Sequence, residues 1–89
     1  MSIYLVTYDL IGPGKDYDGL IGALSSFGTC LHALESTWFI KAGSARQIYD
    51  IAKPFIDADD DIIVIKVDAE YTAYIDEKAS LWLRAELGL

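Results

Sequence analysis

The chain has 89 residues, 53% of them hydrophobic, and a net charge of −7 from seven Lys/Arg against fourteen Asp/Glu. This length makes one small domain, which buries only about 60–65% of the surface its unfolded chain exposes. The acidic balance argues against strong nucleic-acid binding, because phosphate contacts need clustered Lys and Arg, and here the seven cations are spread singly.

Residues 2–9, S-I-Y-L-V-T-Y-D, read as the first strand. Their β-branched and aromatic content suits a pleated sheet. Tyr4, Val6 and Tyr8 share one face; Ile3, Leu5, Thr7 and Asp9 share the other. Both faces are largely apolar, so both are expected to be covered. Asp9 stands where the strand gives way to Leu10-Ile11-Gly12-Pro13-Gly14-Lys15, a turn by its Gly and Pro content.

A helix is expected from about Asp16, which can cap its first turn. Tyr17, Leu20, Ile21, Leu24 and Phe27 make one apolar stripe, and Gly28 stops the helix. Residues 29–34 and 37–42 then read as two strands joined by a tight turn at Glu35-Ser36. Ser44 begins a second helix as N-cap, with Gln47 reaching back in a capping box. Its stripe is Ile48, Ile51, Ala52 and Phe55, and Pro54 ends or kinks it. An acidic turn, residues 57–61, leads into the strand I-I-V-I-K-V at 62–67, again apolar on both faces. Residues 68–75 fit strand or coil, and residues 77–87 fit a short helix.

The order strand, helix, strand, strand, helix, strand is the α+β ferredoxin-like βαββαβ arrangement. Right-handed crossovers put both helices on one face of a four-stranded antiparallel sheet. The core is expected to span residues 1–67, with residues 68–89 as a C-terminal extension of the same domain. The first and last strands are expected in the centre, and the sheet face without helices against a second copy of the chain. The 53% hydrophobic content, with two Trp, six Tyr and three Phe, supplies more apolar surface than one small core easily hides, which also favours a homo-oligomer.

No apolar run is long enough to span a bilayer, and Met1 runs directly into a strand, so no signal peptide is expected. The single Cys30 has no partner for an internal disulfide. A cytoplasmic location follows by default.

The residues with chemical potential are few. Asp9, at a strand end, is the candidate metal ligand and catalytic carboxylate; the alternative is a turn residue holding loop N–H groups. Lys15, before a helix N-terminus, is the candidate phosphate contact, although Gly12-Pro13-Gly14-Lys15 is not a Walker A loop. Asp57, Asp59, Asp60 and Asp61 lack EF-hand spacing and read as a solvated loop. His32 has no nucleophile at a recognisable spacing. Cys30, Trp38 and Phe39 read as packing residues.

Residues 2–67 resemble the small CRISPR-associated adaptation endonucleases, the Cas-two family, and most closely their SinR-like relatives. The likeness rests on Tyr4-Leu5-Val6-Thr7-Tyr8-Asp9-Leu10, on Phe27-Gly28, and on Leu34-Glu35-Ser36-Thr37-Trp38. The resemblance implies a homodimer with facing sheets. It further implies either a Mg²⁺-dependent endonuclease, with one Asp9 from each subunit holding the metal, or a purely structural role beside an integrase. The Arg that often follows the aromatic-Gly pair in the family is absent; Thr29, Cys30 and Leu31 stand there.

The expected function is therefore a homodimeric, non-catalytic module acting through a protein partner, with nucleic-acid binding weak or absent and no membrane association. The alternative is a weak Mg²⁺-dependent RNA or DNA phosphodiesterase centred on Asp9, with Lys15 steadying the phosphate. A small regulatory subunit binding a metabolite between sheet and helices is a third reading.

Overall fold

The computed structural model describes residues 1–11 and 17–89. Gly12-Pro13-Gly14-Lys15, the Asp16 cap and with them the Lys15 phosphate contact lie outside the described residues.

The elements in chain order are β1 (Ser2–Asp9), α1 (Tyr17–Ser25), β2 (Cys30–Leu34), β3 (Thr37–Ala42), α2 (Ala45–Ala52), β4 (Asp61–Val67) and α3 (Glu77–Glu86). A single 3-10 turn, Lys53–Phe55, follows α2 directly. The four strands form one antiparallel sheet in the order β2-β3-β1-β4, the ferredoxin-like arrangement expected from the sequence.

That order corrects one expectation. β1 and β3 occupy the centre, and β4 is an edge strand. The central position of β3 is explained by Trp38, Phe39 and Ile40, three consecutive residues all buried. In β4 the apolar faces have a different origin. Ile62 and Val64 pack against the core, whereas Ile63 and Ile65 remain 54% and 53% exposed. Apolar residues on both sides of a strand do not by themselves make it central.

Helices α1 and α2 cover one face of the sheet. Leu20 and Leu24 from α1, with Ile48 and Ala52 from α2, meet Tyr4, Val6, Trp38, Ile40 and Ala42 in the main core. Two internal hydrogen-bond and ring contacts fix the large aromatic groups. The Trp38 indole donates to the Tyr8 hydroxyl at 3.2 Å. The His32 ring stacks on Trp38 at a centroid distance of 4.3 Å. Tyr8 thus has its polar tip satisfied inside the protein, as buried Tyr and Trp require.

The helix boundaries follow local chemistry. Ser44 Oγ accepts from Gln47 N–H at 3.1 Å, and Gln47 Oε1 accepts from Gly43 N–H at 2.9 Å. The reciprocal cap expected at this position is present, with its second bond one residue earlier than in the usual box. Gly28, after α1, has φ +80°, a conformation that suits glycine. At α3, Asp76 accepts from the N–H groups of Lys78 and Ala79 at 3.1 and 3.3 Å, and Gly88 closes the other end at φ +76°.

Ile51 does not face the sheet as its spacing predicts; it is 43% exposed. With Ile48 and Ala52 fully buried, the inward direction of α2 lies between those two side chains. Ile51 falls about 60° from Ile48 on the side away from Ala52, at 100° per residue. Phe55, the last position of the expected stripe, lies beyond α2 in the 3-10 turn and packs against the core margin.

The second face of the sheet carries the larger departure. There α3 folds back onto Ile3 and Phe39, with Leu83 at the centre of a second apolar cluster. Leu31, Ala33, Val67, Tyr71, Trp82 and Leu87 pack around it. Lys41 on this face pairs with Glu86 of α3 at 3.4 Å. Part of the surface expected to meet a second chain is therefore covered by the protein's own C-terminal helix. What remains open is the strip toward β4, with Thr7, Ile63 and Ile65.

Candidate functional site

Antiparallel pairing of β1 with β4 runs without interruption from Ile3 opposite Val67 to Asp9 opposite Asp61. Residues directly opposite in such a pair point to the same face, with Cβ atoms about 4.5–5.5 Å apart. The register therefore sets the carboxylates of Asp9 and Asp61 side by side at the end of the ladder. Both residues are exposed. They border an open cleft of about 280 Å³ that Thr7, Tyr8, Ile62 and Ile63 also line.

The sequence singled out Asp9 and missed its neighbour. Asp61 reads as the last residue of an acidic loop, but in the fold it is the first residue of β4. The ladder with β1 runs over seven pairs, and the apolar run 62–67 supplies only six residues, so the preceding Asp61 completes it opposite Asp9. Two other carboxylates of that loop, those of Asp57 and Asp60, have structural work. Asp60 Oδ1 accepts from Ile11 N–H at 2.9 Å and its Oδ2 from Asp57 N–H at 3.1 Å. Asp57 Oδ1 accepts from Asp59 N–H at 3.0 Å. These bonds tie the start of β4 to the segment leaving β1, and so hold the two carboxylates in register.

Two carboxylates on one face fit a hard cation such as Mg²⁺, which keeps several waters and takes one or two carboxylates from a protein. No group of three or more metal-binding side chains is assembled among the described residues. Tyr8 is turned to the opposite face, where its hydroxyl accepts from Trp38. Thr7 Oγ1 lies 3.3 Å from Thr37 Oγ1 on the same face as Asp9, which continues the polar end of the sheet.

The remaining reactive side chains have packing roles. Cys30 lies at the core margin, and desolvation raises its thiol pKa, which reduces the thiolate needed for nucleophilic chemistry. Its Sγ is 4.0 Å from the Ser25 carbonyl oxygen. His32 is engaged with Trp38 and, through Nε2, with the Glu35 carbonyl at 2.9 Å. Trp38 and Phe39 are 3% and 8% exposed, so neither offers a stacking surface for bases.

A second open feature lies beside β4. Leu5, Phe39, Ile65, Val67 and Tyr71 line a groove of about 270 Å³ between the strand and the segment leading to α3. On the α2 side, Ala45, Arg46, Tyr49, Ile62 and Val64 line another of about 300 Å³. No helix among the described residues is long and apolar enough to cross a membrane.

Comparison with known proteins returns no match: no family model matches the chain, and neither a curated protein nor a solved structure does so.

Proposed function

We propose that the chain is a non-catalytic module of the Cas-two-like, SinR-like kind, working as a cytoplasmic homodimer through protein partners in CRISPR or mobile-element biology. The observation that carries this reading is the apolar strip on β4. Ile63 and Ile65 are half-exposed next to Leu5, on a chain whose net charge of −7 disfavours nucleic acid. Eleven and three buried hydrophobic residues among those described already fill two cores, so this strip is surplus to the monomer's own packing.

A second reading, a metal-dependent phosphodiesterase, is favoured by one specific observation: Asp61 opposite Asp9. The pair supplies two carboxylates from a single chain, so a metal site does not need a second Asp9 from another subunit. Mg²⁺ held there would supply a Lewis acid and an activated water. Asp9 and Asp61 would anchor the ion, and Thr7 with Thr37 would line the approach.

The separating experiment is metal-dependent cleavage of RNA and DNA by wild type, Asp9→Asn and Asp61→Asn, with thermal unfolding alongside. The non-catalytic reading predicts no cleavage in any of the three, with Mg²⁺ or Mn²⁺ present. The nuclease reading predicts cleavage lost in both variants. It also predicts that millimolar Mg²⁺ raises the melting temperature of wild type only, since a ligand that binds the folded state stabilises it.

A further inference from the structure

The sheet has two edges, and they are built differently. At β2 the register shifts between His32 and Leu34, which leaves Ala33 as an extra, unpaired residue. Such a bulge twists an edge and blocks further pairing. At β4 nothing comparable occurs. All seven residues, Asp61–Val67, stay in one register with β1. The strand contains no Pro and no Gly, and its one cation is Lys66. No further strand pairs with its outer side among the described residues. A long, regular, apolar edge of this kind is a template for another strand.

The geometry points to a second copy of β4 as that strand, joined antiparallel across a two-fold axis at Val64, so that the two four-stranded sheets become one. This inference rests on the homodimer reading above and specifies its seam. A two-fold axis perpendicular to the sheet keeps both helical faces on the same side. Only registers that pair residues of the same face are then allowed. Among these, centring on Val64 is the one that pairs all seven residues of β4. Ile63 then lies opposite Ile65 of the second copy, and Ile65 opposite its Ile63. The two side chains left 54% and 53% exposed in the monomer are thus matched to each other. Within the ladder Asp61 meets Val67 and Ile62 meets Lys66, so no two acidic residues stand opposite despite the acidic chain. The grooves on both sides of the edge, lined by Tyr49 and Val64 above and by Leu5 and Ile65 below, are positioned to add contact area.

The test is a disulfide at the axis. Opposite residues in an antiparallel pair have Cα atoms about 4.5 or 5.5 Å apart, inside the disulfide range of about 4.4–6.8 Å. Val64→Cys in a Cys30→Ser background is expected to cross-link into a dimer on mild oxidation, in most of the chains. A second variant, Ile63→Glu with Ile65→Glu, places carboxylates opposite each other across the seam. Both side chains are half-exposed, so the fold is expected to persist by circular dichroism while light scattering shows loss of the dimer. A dimeric wild type whose Val64→Cys variant does not cross-link and whose two-glutamate variant stays dimeric would overturn the seam and leave the homodimer reading intact. A monomeric wild type would overturn both.

Discussion

Leu24→Ala is expected to destabilise the fold by about 2–5 kcal/mol, the range for removing a buried leucine side chain. Leu24 is 0% exposed and packs with Leu20, Val6, Ile40 and Ile48, each also at 0%. Small domains have total stabilities of about 5–15 kcal/mol, so this loss is a large share of the whole. Urea unfolding should show a lower midpoint with an unchanged slope. Ile51→Ala is the matched control. At 43% exposure it should change stability by no more than about 0.5 kcal/mol. A reversal of the two effects would mean that the helical faces are wrongly oriented.

Leu83→Ala should cost a similar amount, about 2–5 kcal/mol, and it tests the docking of α3. Leu83 is 1% exposed between Ile3 and Phe39, the two buried residues of the second sheet face. The Lys41–Glu86 pair is partly solvent-exposed, with 3.4 Å between its charged atoms. Such pairs contribute at most about 1 kcal/mol, so the apolar contact decides whether α3 stays on the sheet. Leu81→Ala, at 58% exposure, should fall within about 0.5 kcal/mol of wild type. If α3 were detached in solution, Leu83→Ala would behave like Leu81→Ala, and amides of the helix would exchange hydrogen without protection.

Much of the fold is legible in the residues because local signals agree with one another. The strand bounds of β1, the Ser44 cap and the alternation in β4 all depend on neighbours in sequence, whereas the first helix ends at Ser25, three residues before the glycine expected to stop it. What was not legible depends on distant partners. Leu81, Trp82 and Leu83 are consecutive and apolar, so periodicity cannot say which of them faces inward. Only the sheet surface made by Ile3 and Phe39 selects Leu83. That same surface, read alone, calls for a second chain. The candidate site shows the same division. Asp9 is visible as a strand-end carboxylate, but Asp61 acquires meaning only from the register that sets it opposite Asp9. Lys15 lies outside the described residues and is not part of the geometry.

Light scattering of the wild-type protein across micromolar concentrations decides whether the chain is a homodimer. The prediction is a mass of twice the 9.8 kDa chain. A mass of a single chain throughout that range would contradict it.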